Sequence, residues 1–358
     1  GGVFIGNTAR PVFTDVTIVG NTSGAGGGGI DNRSPYLTLT GAAISGNISG
    51  AYGGGLYTAA GSGTVLTNVC LENNVCSAAG GAIANVGDPD STTRTVIVIT
   101  NGIIRNNSAG SGGAMYNTFN LGPGTTKTSD NTVLYVALTN VLIADNSASA
   151  SGGAIYNLNP IASTSSTDSS SGGGKGIELV MNNVTIAGNT ATTGQGGGIY
   201  IPAENKNASN KVVNRVEIIA NNCIIWGNTA PGHPGGNNIY NPTQSRLTLT
   251  RSLAEDGSYN GTSISFSGSP FAVGGYTLAS GANALIDIGN PDYPDTEAKL
   301  IDGSFSGDTS RENTFKTLIR NSLFSSPRWI EKDVTAAEGP GNDRSLGSDI
   351  DVGAYETQ

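Results

Sequence analysis

The chain has 358 residues, of which 54 are Gly and only 13% are charged, and its formal net charge is −9. Nucleic-acid binding needs a stripe of Lys and Arg that displaces counterions, and a membrane-spanning helix needs roughly 20 consecutive apolar residues. The sequence contains neither feature. We therefore expect no nucleic-acid partner and no membrane span in this chain.

The first two-thirds of the chain repeat two short elements in a fixed order. The first is an apolar residue with an Asn three positions later, and the second is Gly-Gly-x-Ile, as at 80–83 and 152–155. The shortest repeat is 26 residues, with strand-like alternation between the elements, as at 37–40. A period in the twenties with this alternation is typical of one coil of a parallel β-helix. We predict an all-β fold: a right-handed, single-stranded parallel β-helix resembling the pectate-lyase-like solenoids.

Each repeated position has a physical role in such a coil. The apolar columns point inward, where burying each side chain contributes roughly 1.5–3 kcal/mol. Paired Gly residues supply the positive φ and the close backbone approach that a corner requires. Seven Asn residues recur at one corner and are predicted to form a hydrogen-bonded ladder: Asn21, Asn47, Asn74, Asn107, Asn146, Asn189 and Asn228. A second, less regular polar column runs through Asn68, Asn101, Asn140, Asn183 and Asn222.

An aromatic column follows the inward residue of the Gly-Gly-x-Ile element. Alternation points it outward, and it consists of Asp31, Tyr57, Ala84, Tyr116, Tyr156, Tyr200 and Tyr240. Long inserts at 87–95, 118–132, 158–175 and 202–214 begin beside it, and inserts at one phase of a solenoid emerge on one face. We interpret Tyr116, Tyr156, Tyr200 and Tyr240, together with the outward-pointing Trp226, as candidate binding residues for a cell-surface or extracellular glycan or protein. The alternative is that the inserts bury the tyrosines as a small second core.

The repeat fades near residue 241. We predict β-helix coils over 1–241, and final strands with a capping region over 242–358 that contains a short helix at 310–324. Residue 1 aligns with the middle of a coil, so we expect preceding residues to cap the first edge. No cofactor is predicted, except that the spacing of Asp302, Ser304, Ser306 and Asp308 allows a calcium loop.

The repeats resemble those of the polymorphic outer membrane proteins, which combine Gly-Gly-Ala-[Ile/Leu/Val] with Phe-x-x-Asn. Segments 80–83 and 152–155 match the first part, and Ile or Leu replaces Phe in the second. The end of the chain is similar to bacterial surface β-helix proteins of the choice-of-anchor Q type, at 275–278, 284–290 and 349–356. These resemblances imply an exported protein at the bacterial cell surface or outside the cell. They imply no reaction.

Few residues point to catalysis. Glu178 and Glu217 align in neighbouring coils, as an acid–base pair or metal site would require. No Lys, Arg or His is expected beside them, which favours two solvated surface carboxylates. The single histidine, His233, lies in a Gly/Pro-rich turn. Cys223 falls in an apolar column, whereas Cys70 and Cys76 are placed where a disulfide across a corner is conceivable.

Three functions remain open. We favour a non-catalytic adhesin or glycan-binding solenoid. The alternatives are a polysaccharide lyase or glycoside hydrolase of β-helix fold, and a structural surface stalk. An enzyme needs clustered carboxylates with a basic partner, whereas a stalk needs no exposed aromatic groove.

Overall fold

The computed structural model describes residues 1–88, 93–120, 133–160, 176–204, 206, 215–233, 237–243, 246–255, 260–264 and 269–271. All of the regular secondary structure within these residues is β-strand. The predicted helix at 310–324, the calcium loop at Asp302, Ser304, Ser306 and Asp308, and the choice-of-anchor Q segments lie outside the described residues. They remain predictions.

The strands follow one another in short coils. The first four coils contain Val3–Ile5 (β1), Val12–Thr14 (β2), Thr17–Val19 (β3), Thr22–Ser23 (β4), Ile30–Asn32 (β5), Leu37–Thr40 (β6), Ala43–Ser45 (β7), Ile48–Ser49 (β8), Leu56–Thr58 (β9), Gly63–Glu72 (β10), Val75–Ala79 (β11), Ile83–Gly87 (β12), Thr95–Arg105 (β13) and Ser108–Ser111 (β14). The later coils contain Met115–Phe119 (β15), Val133–Ala144 (β16), Ser147–Ala148 (β17), Ile155–Leu158 (β18), Gly176–Ala187 (β19), Thr190–Ala191 (β20), Ile199–Tyr200 (β21), Arg215–Asn221 (β22), Ile224–Trp226 (β23), Ile239–Tyr240 (β24), Leu247–Ala254 (β25) and Asn260–Ile264 (β26).

These strands form three parallel sheets, in which equivalent strands of successive coils lie side by side. Sheet A has eight strands in the order β1-β5-β9-β12-β15-β18-β21-β24, and sheet C has six, from β4 through β8, β11, β14 and β17 to β20. Sheet B has 12 strands and contains the long β10, β13, β16 and β19. The register places Ile44, Leu71 and Ile104 beside one another in successive coils. The predicted parallel β-helix is confirmed.

The core is a stack of apolar side chains inside the coils. The inward residue of the Gly-Gly-x-Ile element has no exposed surface in six successive coils, at Ile30, Leu56, Ile83, Met115, Ile155 and Ile199. The apolar residue three positions before the ladder Asn is equally buried in sheet B, as at Ile143 and Ile186. Both inward columns therefore lie where the alternation placed them.

The corners are built from residues with left-handed backbone. In the described coils from Gly27 to Gly196 the first Gly of each pair has positive φ, for example 68° at Gly152, where Gly is favoured because it lacks a Cβ. The second Gly lies against the next coil: a Cβ on Gly153 would be 2.2 Å from the carbonyl oxygen of Gly197. The second polar column also has positive φ, near 55°, at Asn68, Asn101, Asn140, Asn183 and Asn222. Asn tolerates this conformation better than most other residues.

The predicted Asn ladder is present and runs in one direction. From Asn21 to Asn228, each backbone N–H and each side-chain amide donates to the side-chain oxygen of the Asn in the next coil, at 2.7–3.0 Å. After Asn228 the acceptor is Asn238, whose own amide donates to the carboxylate of Glu255 at 3.0 Å. The ladder therefore ends on an acceptor that carries a negative charge.

A third Asn column lies inside sheet A, and the sequence analysis missed it. Asn85 donates to Asn117 at 2.8 Å, and Asn117 donates to Asn157 at 2.9 Å. All three side chains are fully buried. Each stands two residues after an inward apolar residue, so strand alternation was the signal that pointed to an interior position.

The cysteines are reduced in this fold. Cys70 and Cys76 form no disulfide, and the Cys70 thiol instead donates to Glu72 at 2.7 Å. Cys223 is fully buried in the core, as the apolar column predicted. Strands β25 and β26 extend sheet B in parallel beyond residue 241. The division of the chain at this residue remains a prediction.

Candidate binding site: the tyrosine column

The tyrosine column is built by the register of sheet A. Tyr116 pairs with Tyr156, Tyr156 with Tyr200, and Tyr200 with Tyr240, each one coil apart. Earlier in the sheet, Ala84 stands between Tyr57 and Tyr116. Neighbouring strands are about 4.8 Å apart, which is close to the spacing of stacked aromatic rings. The backbone repeat therefore brings the rings into contact.

The rings stack on one another along the helix axis. Their centroids are 5.4 Å apart between Tyr116 and Tyr156, 4.5 Å between Tyr156 and Tyr200, and 5.2 Å between Tyr200 and Tyr240. The corresponding interplanar angles are 12°, 3° and 17°. Because each face is covered by the next ring, the column offers ring edges and phenol hydroxyls to a ligand.

A tyrosine from a neighbouring position fills the gap that Ala84 leaves. The ring of Tyr52 lies 6.0 Å from that of Tyr57 and 6.3 Å from that of Tyr116. Tyr52 belongs to the corner before sheet A and is bridged to Ala79, not to Ala84. Six tyrosines therefore form a continuous run of ring contacts from Tyr57 to Tyr240, in which the contact between Tyr52 and Tyr116 is tilted by 31° and the others are stacked. The column pattern alone gave no signal for Tyr52.

The column is partly buried. Tyr116 is 9% exposed and packs with Ala79 and Ala84, and Tyr57 and Tyr156 are half-buried beside this cluster. Tyr200 and Tyr240 are also half-buried, and Tyr52 is 39% exposed. The column thus combines a small second core at Tyr116 with edges that reach the surface further along.

The phenols are held in their neutral form. Burial raises the pKa of Tyr57, Tyr116, Tyr156 and Tyr200 above 10.0. In Tyr156 the neighbouring phenols of Tyr200 and Tyr116 raise the pKa further, and so does a hydrogen bond with Tyr200. The same hydrogen bond opposes the rise in the pKa of Tyr200, as expected when Tyr156 is the donor. Neutral phenols keep their hydroxyl protons available for donation.

Trp226 does not belong to this site. It lies in β23 of sheet B, in register with Ala187, and its side chain is partly exposed. The tyrosines lie in sheet A. The structure therefore groups four of the five candidate binding residues and places the fifth on another sheet.

Glu178 and Glu217 have a basic partner, contrary to the sequence analysis. The two residues are in register on β19 and β22. Arg215 forms a close ion pair with Glu217 and lies 4.0 Å from Glu178. The sequence analysis compared only equivalent positions of neighbouring coils and so missed Arg215. This residue precedes Glu217 by two positions on the same strand, where alternation puts both side chains on one face. The pair is therefore not two solvated carboxylates.

A buried tyrosine extends this charged cluster by one coil. Tyr135 is in register with Glu178 and is 5% exposed. Burial, followed by the charge of Glu178, raises the pKa of Tyr135 to about 12. The guanidinium of Arg94 lies 5.0 Å from the centre of the Tyr135 ring. The cluster thus spans several coils on the outer face of sheet B.

No metal site is visible in the described part of the chain, where no three His, Cys, Asp or Glu side chains converge. His233 lies in an exposed turn, as the Gly/Pro context predicted. Among the described residues, no helix has the length and apolar character needed to cross a bilayer.

Comparison with known proteins adds one match. The repeat described for the Chlamydia polymorphic membrane proteins matches residues 140–158 and 183–202. Each matched segment contains a ladder Asn and a column tyrosine: Asn146 with Tyr156, and Asn189 with Tyr200. No curated protein and no solved structure gives a significant match. The match shows that these two coils share the repeat of that family, and it covers a small part of the chain.

Proposed function

We propose that this chain is the ligand-binding β-helix of an exported bacterial surface protein, and that it binds an extracellular glycan or protein along the tyrosine column without catalysis. The observation that supports this proposal most strongly is the continuous row of tyrosine rings from Tyr57 to Tyr240, most of which are partly exposed. Amphipathic aromatic side chains are enriched at binding interfaces because they combine a large apolar area with a polar tip.

The Asn ladder and the Gly corners support this proposal by making the scaffold rigid. A site built on regular elements is positioned more precisely than one built on loops. Because each tyrosine lies directly opposite the next in the sheet register, a ligand along the axis meets the same chemical group in every coil from Tyr156 to Tyr240.

A glycan and protein array with the full chain tests the proposal. We compare the wild type with Tyr200→Ala, which breaks the stack, and with Ser149→Ala, a matched change at an exposed position near sheet C. Loss of binding in Tyr200→Ala alone, with unchanged circular dichroism, supports the proposal. Equal binding by all three proteins overturns the site. Absence of any binding favours the structural stalk.

A second candidate function is cleavage of a polysaccharide by the charged cluster of sheet B. Retaining glycoside hydrolases hold two carboxyl groups about 5–5.5 Å apart, and residues in register on neighbouring strands are separated by about 4.8 Å. Arg215 supplies the basic partner that the enzyme alternative requires. Release of reducing ends from a polysaccharide panel, abolished in Glu217→Gln, would favour this function over non-catalytic binding.

A further inference from the structure

The phenol hydroxyls of the column form a linear array along the helix axis. Tyr116 is only 9% exposed, so the rungs that a ligand can reach are Tyr156, Tyr200 and Tyr240, which span two strand spacings, or about 10 Å. The ring faces are covered by neighbouring rings, so a ligand approaches the edges, which carry the positive end of the aromatic quadrupole and the hydroxyl groups. The Tyr156 hydroxyl donates to Tyr200, so the column suits a ligand that runs parallel to the axis and whose groups both donate and accept hydrogen bonds.

The described surroundings of the column carry no charge at these rungs. On one side the flanking residues are Ser111, Ser151 and Gln195, whose carbonyl oxygens accept hydrogen bonds from the N–H groups of Gly80, Gly112 and Gly152 in the preceding coil. On the other side are Thr118 and Leu158, in register, and then Pro202. A ligand with many charges would find no counter-charge among these groups.

The charged residues at the far end of the column neutralise each other. Asp31 occupies the column position in the second coil and forms an ion pair with Arg33 at 3.2 Å. The whole chain carries a formal net charge of −9, which repels anionic polymers in general. Charge therefore favours a neutral ligand over an acidic one.

We propose that the tyrosine column binds a neutral, extended polysaccharide that lies along the helix axis and contacts Tyr156, Tyr200 and Tyr240 through its hydroxyl groups. This inference rests on the proposed function and narrows it to one ligand class. Sugar hydroxyls donate to the phenol oxygen of Tyr156, whose own proton bonds Tyr200, and accept a hydrogen bond from the phenol of Tyr200.

Calorimetry on the full chain tests this ligand class. The probes are neutral gluco-oligosaccharides of about two to about six units and galacturonic acid oligosaccharides of the same lengths. We expect the affinity for the neutral series to rise up to about three units, one for each accessible rung, and to be insensitive to NaCl between about 0.05 M and about 0.5 M. Tyr200→Phe, which keeps the ring, should weaken binding about 2- to 10-fold by removing one hydrogen bond. Tyr36→Phe, a matched change outside the column, should leave the affinity for the neutral oligosaccharides unchanged.

The outcomes separate this inference from the proposed function. Tighter, salt-sensitive binding of the acidic series that still depends on Tyr200 overturns the neutral-ligand inference and retains the binding function. Equal affinity for all lengths overturns the axial arrangement. A chain that binds neither series nor any array ligand contradicts both proposals.

Discussion

The ring centroids of Tyr156 and Tyr200 lie 4.5 Å apart and the rings are within 3° of parallel, although Tyr200 follows Tyr156 by 44 positions along the chain. They are the most closely stacked pair of the column. Direct register between β18 and β21 sets their spacing, and the raised pKa of both phenols keeps both rings neutral. This contact links the stability of two coils.

Replacing both members of this pair should reveal a favourable coupling energy. In a double-mutant cycle of Tyr156→Ala and Tyr200→Ala, we expect about 0.5–1.5 kcal/mol, the range for stacked aromatic pairs. Urea unfolding followed by circular dichroism gives the free energies. The control cycle combines Tyr156→Ala with Val75→Ala in sheet C and should be additive within about 0.5 kcal/mol. Additivity in the first cycle would mean that the stack contributes no stability.

Removing one rung of the Asn ladder should destabilise the chain strongly. Asn146 is 1% exposed, accepts two hydrogen bonds from Asn107 and donates to Asn189. Asn146→Ala leaves several buried polar groups without partners, at about 1–3 kcal/mol each, so we expect a loss of about 3 kcal/mol or more. Ser147→Ala, the exposed neighbour, should change stability by less than about 0.5 kcal/mol. Similar urea midpoints for the two variants would contradict a stabilising ladder.

Two Gly residues should respond differently to the same substitution. A Cβ on Gly153 would be 2.2 Å from the Gly197 carbonyl oxygen, whereas a Cβ on Gly227 meets nothing within 4 Å. Gly227→Ala should cost only about 1–2 kcal/mol, because its φ of 65° strains a residue with a side chain. Gly153→Ala should cost more, because two coils must separate. Thermal unfolding monitored by circular dichroism ranks the two, and the reverse order would contradict the close approach.

Alkaline pH should weaken the fold through its tyrosines. Burial raises the pKa of Tyr135 from 10.0 to about 12, so the folded chain favours the neutral phenol. The resulting stability is fully present below about pH 10 and is lost as the pH rises through about 12. We expect phenolate absorbance to lag behind that of exposed tyrosines over this range, with stability falling in parallel. In Tyr135→Phe the fall in unfolding free energy over the same pH range should be smaller. An identical fall in both proteins would show that Tyr135 does not contribute.

The repeat made most of the fold predictable. Inward columns, the Asn ladder and the Gly corners recur once per coil, so a single stacked geometry satisfies all of them together. The interior column of Asn85, Asn117 and Asn157 followed from the same alternation but was overlooked, because a polar residue is not expected in a core.

The sequence by itself determined the coiled parallel β-structure, because the repeat period and the strand alternation are local properties that recur in every repeat. The tertiary structure decided which side chains from different coils meet: Tyr52 over Ala84, Arg215 between two glutamates, and Glu255 at the end of the ladder. These contacts join residues that lie outside the repeated positions, so no column predicts them. They depend on side-chain direction and on coils of unequal length, which only the folded chain fixes.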